Sequence, residues 1–181
     1  MRPRRVHRPR RGTVEAMEIP DSEREQKRWL AERAKEVLAC VPIRMGDTVV
    51  DFGCGTGTYA LPAAGMVGAE GEVHAIDCNP ERLRSLEEAD LPSVNPISGD
   101  GSSEIPLDDS SCDVGLLYDV LQKLDEGRSV IAQMRRVIRT GGVLSIYPMH
   151  LNAQQIHREV VEEGFSYRDS FAGLVPHFIR E

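Results

Sequence analysis

Apolar positions recur at spacings of three and four early in the chain. Leu30, Ala34, Val37, Leu38 and Val41 fall on one helical face, so residues 20–41 predict an amphipathic helix. Ser22 with Glu25 three positions later reads as a capping box at its start. Trp29 lies off this stripe, and either folds over a pocket or packs elsewhere.

Beyond residue 46 the period changes. Short continuous apolar runs alternate with helical patterns. "DTVVDF" is the first strand, followed by a glycine turn and a helix from Gly57 to about Val67. "GEVHAID" is the second strand, and "NPERLRSLEEA" a helix with Asn79 as cap and Pro80 at its first position. "VNPISGD" and "SCDVGLLYDV" are the third and fourth strands. "EGRSVIAQMRRVIRT" is a helix with Val130, Ile131, Met134, Val137 and Ile138 on one face. "VLSIYP" is the fifth strand, "NAQQIHREVVEEG" a capped helix closed by Gly164, and two short strands lie near "SYRDSFAG" and "LVPHFIR". Continuous apolar strands alternating with helices imply a doubly wound α/β domain with helices on both faces of a mostly parallel sheet.

The chain has 181 residues, enough for one domain with a substantial core. Residues 21–181 are expected to form it, and residues 1–20 a flexible arm, with six arginines in 2–11 and no periodicity. Net charge is −7; without those six arginines the remainder carries −7 − 6 = −13. Such an acidic body disfavours nonspecific DNA binding. The arm is either a flexible contact to RNA, ribosome or an acidic partner, or a disordered tail, or upstream sequence before a true start at Met17. There is no apolar run of about 20 residues and no signal-peptide core, so a cytoplasmic protein is expected. Cys40, Cys54, Cys78 and Cys112 match no metal spacing, and are read as reduced thiols. Cys54 and Cys78 follow neighbouring strands and are read as a close, buried pair. No metal is expected.

In a doubly wound sheet the ligand sits at the carboxyl ends of the strands. The residues there are Asp51, Gly53, Gly55 and Gly57 after the first strand, and Asp77 after the second. Asp100, Gly101 and Ser102 follow the third, Tyr118 and Asp119 the fourth, and Pro148, Met149 and His150 the fifth. An acid about 20 residues past a glycine turn suits ribose hydroxyls, so the ligand contains a nucleoside. A dinucleotide fits poorly. The third glycine of G-x-G-x-x-G is replaced by Thr58, and Asp51 stands where a pyrophosphate wants no carboxylate. A Walker loop fails because no G-K-[ST] follows. S-adenosylmethionine, with a ribose, an adenine, a sulfonium and an ammonium, complements an acidic site with glycine amides.

"VVDFGCGTGTYALPAA", "HAIDCNPERLRSLEE", "SGDGSSEIPLDDSSCDVGLLYDVLQKLDE" and "RTGGVLSIYPMH" resemble the successive motifs of the class I S-adenosylmethionine-dependent methyltransferases, over roughly residues 22–181. The resemblance implies a seven-stranded Rossmann-like sheet whose last strand is antiparallel. It also implies methyl transfer by in-line displacement. Asp51 would hold the methionine ammonium, and Gly53, Gly55 and Gly57 would line the methionine and ribose path. Asp77 would take the ribose hydroxyls and Cys78 would pack beside the adenine. Asp100 would accept from the adenine amino group, with amides near Gly101 and Ser102 reaching a ring nitrogen. Tyr118 would lie near the transferable methyl.

Such chemistry needs alignment more than it needs a base. Tyr118, Asp119 and His150 are the candidate catalytic side chains; His157 is expected at the surface. No [DNS]-P-P-[YF] follows the fourth strand, and nothing builds a deep lid, which favours a small-molecule acceptor. "LYDVLQKLDE" resembles the group that includes quinone and sterol methyltransferases, which usually have a histidine where this chain has Gln122 or Lys123. The other readings are RNA or protein methylation guided by the arm, and a cofactor-binding module without turnover.

Overall fold

A computed structural model describes residues 19–121, 127–149 and 151–181. The Arg-rich segment 2–11, Met17, Gln122, Lys123 and His150 lie outside the described residues.

The first helical stretch forms two helices, α1 (Glu23–Glu32) and α2 (Ala34–Cys40), separated at Arg33. Arg33 has φ −111° and ψ 23°, and its guanidinium lies 4.8 Å from the centre of the Trp29 ring. The expected stripe is nonetheless buried throughout, from Leu30 to Val41. Ser22 caps α1, accepting from the Glu25 amide, while its hydroxyl donates to the Glu25 carboxylate at 2.6 Å. Trp29 packs on Phe171, with ring centres 6.0 Å apart, so it takes the second of its two expected places.

The strands are β1 (Thr48–Phe52), β2 (Glu72–Asp77), β3 (Val94–Ser98), β4 (Cys112–Tyr118), β5 (Ile138–Tyr147), β6 (Phe165–Phe171) and β7 (Val175–Arg180). The remaining helices are α3 (Ala60–Val67), α4 (Pro80–Glu88), α5 (Gly127–Val137) and α6 (Ala153–Glu162). Sheet order is β3-β2-β1-β4-β5-β7-β6. The first five strands pair in parallel, and β7 is antiparallel to both β5 and β6. The expected doubly wound, mostly parallel sheet with an antiparallel last strand is therefore the observed one. Pro96 sits in edge strand β3, where a missing donor costs least.

Two boundaries differ from expectation. α3 starts at Ala60 rather than Gly57, because residues 56–59 remain in the glycine turn. α5 ends at Val137, and β5 begins at once with Ile138 instead of at Val143. Two glycines carry the chain through this junction. A Cβ on Gly142 would stand 2.7 Å from the Asp113 carbonyl oxygen, and Gly141 has φ +77°.

Each face of the sheet carries its own core. Leu38, Ala63, Val67 and Leu86, from α2, α3 and α4, pack on Val49, Val73 and Leu116. Val130, Ile131, Met134, Ile156 and Val160, from α5 and α6, pack on Val50, Leu144 and Ile146. With helices shielding both faces, the polar groups at the strands' carboxyl ends are what the fold presents for chemistry. Among the described residues no helix is long and apolar enough to cross a membrane.

Candidate functional site

Two adjoining depressions open at the carboxyl ends of β1, β2 and β4, sharing Gly53 and Arg82. The smaller, about 120 Å³, has an apolar floor of Phe52, Ile76 and Val120, and is walled by Asp77, Cys78, Gly101 and Ser102. The larger, about 250 Å³, is lined by the glycine turn, Tyr59, Tyr118, Tyr147, Lys27 and Asp119.

The turn between β1 and α3 shapes both. Gly55 has φ +58°, and a Cβ there would meet nothing within 4 Å, so this backbone faces open cleft. Gly57 differs. It does not line the cleft, and a Cβ there would stand 2.2 Å from Leu86 Cδ2, so it brings α4 close to the turn. Gly53 lines both depressions.

Asp77 ends β2 and is buried. Its Oδ2 accepts from the Gly55 amide and its Oδ1 from the Asn79 amide, each at 2.9 Å. Arg82 Nη1 stands 3.6 Å from Oδ2. The carboxylate is thus clamped across the mouth of the smaller depression, with lone pairs left for further donors.

Asp51, on β1 just before the turn, is not among the lining residues of either depression. It is only 2% exposed, and its Oδ2 has no hydrogen-bond partner among the described residues. Burial pushes its pKa up to about 7; the Ala60 amide works against the shift and the Asp77 charge adds to it. A buried carboxylate oxygen left unpaired is costly, and a cation brought to it repays that cost.

Asp100 stands at the exposed rim, outside the lining residues, with Oδ1 accepting from the Ser102 amide at 2.8 Å. Hydrogen bonds from the Ser102 side chain and backbone hold its pKa below the usual value. Its role in the structure is to fix the turn that places Gly101 and Ser102 on the wall. Cys54 is buried but Cys78 is exposed, so the expected pair of buried thiols is corrected on the second member. Cys78 follows directly after Asp77 at the strand end and lines the smaller depression.

Tyr118 lines the larger depression with its ring, edge-on to Tyr59 with centres 4.4 Å apart. Its hydroxyl is engaged with Ser145 Oγ at 2.6 Å. Burial raises its pKa, so the group stays a neutral phenol, tied to the sheet. Asp119, with φ +55°, forms an ion pair with Lys27 of α1 that spans the cleft mouth. His157 lies away from the cleft, 5.3 Å ring-to-ring from Tyr167.

Sequence reasoning did not single out Tyr59, Tyr147 or Lys27. Tyr147 occupies the last position of β5, aligned with Tyr118 on β4. It is 4% exposed, and its hydroxyl has no partner among the described residues. Its place as the last residue of a strand was the available signal, one residue before the positions that were read.

Residues 50–146 match the methyltransferase domain family, more than half of the chain. The chain belongs to that family. The resemblance to the methyltransferases is borne out by that match. The chain is 30% identical over 115 residues to a demethylmenaquinone methyltransferase of Listeria welshimeri, covering 61% of this chain and 48% of that one. It spans about half the length of the curated relatives it matches. A S-adenosylmethionine-dependent methyltransferase of Aquifex aeolicus superposes with a TM-score of 0.70 at 19% identity, covering 88% of this chain and 97% of that one. A TehB-like methyltransferase of Corynebacterium glutamicum gives 0.66 at 20% identity, with the same coverage. At such identities these likenesses speak for the fold.

Proposed function

We propose that this chain binds S-adenosylmethionine across the two depressions and transfers its methyl group to a small-molecule acceptor. The observation that carries this reading is the buried Oδ2 of Asp51, without a hydrogen-bond partner among the described residues, next to a glycine turn whose backbone is open to the cleft. When bound, S-adenosylmethionine supplies a methyl group on a sulfonium, which is already a good leaving group.

The chain's own residues bind, orient and exclude water. Asp51 would hold the methionine ammonium, directly or through water, and Gly53 and Gly55 would let the backbone approach. Asp77, clamped by two amides, would accept from the ribose hydroxyls with its remaining lone pairs. Phe52, Ile76 and Val120 suit a flat base, with Cys78, Gly101 and Ser102 at its edge and Asp100 reaching its amino group from the rim. The Tyr118 ring would face the methyl while its hydroxyl stays on Ser145, which makes it a wall and not an acid or base.

The acceptor reading rests on scale. The depression beside the glycine turn is about 250 Å³ and is bordered by Lys27 and Ala31 of α1, which suits a small molecule. The curated relatives named for a quinone precursor act in the same direction.

Calorimetric titration with S-adenosylmethionine, S-adenosylhomocysteine and NAD in parallel tests the cofactor. Micromolar binding of the first two, none of NAD, and at least tenfold loss in Asp77→Ala are expected. An Asp77→Ala protein that binds as tightly as wild type would refute the site.

A further inference from the structure

The larger depression carries a polar device that the cofactor reading does not use. Tyr147 lines the cleft wall, and its buried hydroxyl has no partner among the described residues. Lys27, half exposed on α1, reaches the same wall and pairs with Asp119. An ammonium has three N–H groups, and this pair uses one.

The acids nearest the wall are Asp119, Asp77 and Glu23, whose charge reaches Tyr147. Asp119 is answered by Lys27, and Asp77 has Arg82 at 3.6 Å. Under the proposed function, Asp51 is answered by the cofactor's ammonium. What then remains unspent is donor capacity: one phenolic O–H and the ammonium hydrogens of Lys27. A cationic acceptor would face Lys27 and Arg82, and could not accept from Tyr147. An oxygen anion satisfies both donors at once.

We infer that the Tyr147 hydroxyl and the Lys27 ammonium form the acceptor subsite, and that it selects a small acceptor carrying an anionic oxygen. The inference rests on the cofactor reading above, which places the sulfonium beside Tyr118. The Tyr147 O–H donates a hydrogen bond to the oxygen, and Lys27 donates to the same oxygen and to Asp119. Burial first, then the Asp119 and Glu23 charges, raise the Tyr147 pKa, so the phenol remains a donor at neutral pH. The role of the pair is to position and select.

Salicylate and benzylamine, alike in size and opposite in charge, are the probes. Each is titrated by NMR into protein saturated with S-adenosylhomocysteine, for wild type, Tyr147→Phe and Lys27→Met. Salicylate is expected to bind the wild type at least tenfold tighter than benzylamine, and to lose tenfold or more in each variant. S-Adenosylhomocysteine affinity should stay within threefold in both variants. Tyr147→Phe removes an unpartnered hydroxyl and keeps the ring, so its melting temperature should be no lower than wild type. Salicylate binding no tighter than benzylamine, or unchanged in both variants, overturns the inference alone. Wild type that fails to bind S-adenosylhomocysteine overturns the cofactor reading, and this inference with it.

Discussion

Asp51 makes cofactor affinity depend on pH in a way that can be worked through. In the empty cleft its pKa is about 7, chiefly because burial penalises the charged form. An ammonium placed against Oδ2 favours the ionised form and returns the pKa to the carboxylate range or below. Binding therefore expels the proton wherever the empty site holds one. Above pH 8 the carboxylate is already ionised and affinity is flat. Below pH 7 each unit costs about 1.4 kcal/mol, or tenfold in Kd. From pH 8 to pH 5.5 the dissociation constant of S-adenosylhomocysteine should rise about thirtyfold. Titrations at pH 6.5 in buffers of different ionisation enthalpy should show release of about 0.8 proton, and almost none at pH 8.5.

The same shift has a stability consequence of opposite sign. The folded-state pKa is raised, so the native state holds this proton more tightly than the unfolded chain does. Stability is then lost as pH climbs from about 4 to about 7, where the unfolded carboxyl is ionised and the folded one is not. The interval from 3.8 to about 7 corresponds to on the order of 4 kcal/mol as an upper bound. Asp51→Asn should thus weaken the cofactor at pH 8, flatten the pH profile, and raise the melting temperature of the empty protein there. A gain of about 2 kcal/mol would show as roughly 4–8 °C for a chain of this length. A wild-type affinity that stays flat between pH 5.5 and 8, or an Asn variant with the same slope, would refute the assignment of Asp51 as the cation site.

The glycines should separate by function. Gly57→Ala combines φ +88° with a Cβ only 2.2 Å from Leu86 Cδ2, so thermal unfolding should show a loss of about 2–4 kcal/mol; Gly55→Ala, which meets no protein atom, should cost less stability but more cofactor affinity. Ser145→Ala removes the 2.6 Å partner of a buried phenol and should cost about 1–3 kcal/mol by denaturant unfolding, whereas adding Tyr118→Phe should recover part of that loss.

What the chain shows before folding follows from which features are local. Strand runs such as "GEVHAID", the Asn79–Pro80 helix start and the Asn152 cap are set by neighbours in sequence, and they appear where expected. The polar residues at strand ends were legible for the same reason: a parallel sheet sends every such residue to one edge. The failures all needed tertiary information. Nothing local marks Arg33 as a break, since its backbone there accompanies stacking on Trp29, itself packed against Phe171 of β6. Nothing local starts β5 at Ile138, since its first register partner is Cys112 on β4.

Tyr118 shows how sequence can set a residue at a strand end without showing what its hydroxyl bonds to. Its position at the end of β4 puts its ring on the cleft, as spacing implied. Its hydroxyl, the part with acid–base chemistry, is held by Ser145, twenty-seven residues away on the adjacent strand. Tyr147 is the converse case. It reads as one more apolar position in "VLSIYP", yet it keeps an unpartnered hydroxyl at the cleft wall. Between two aligned tyrosines on adjacent strands, hydrogen bonding across the sheet decides which hydroxyl belongs to the core and which is left for a ligand. That decision is made by Ser145, a residue whose own position in the sequence suggests only the inside of a strand.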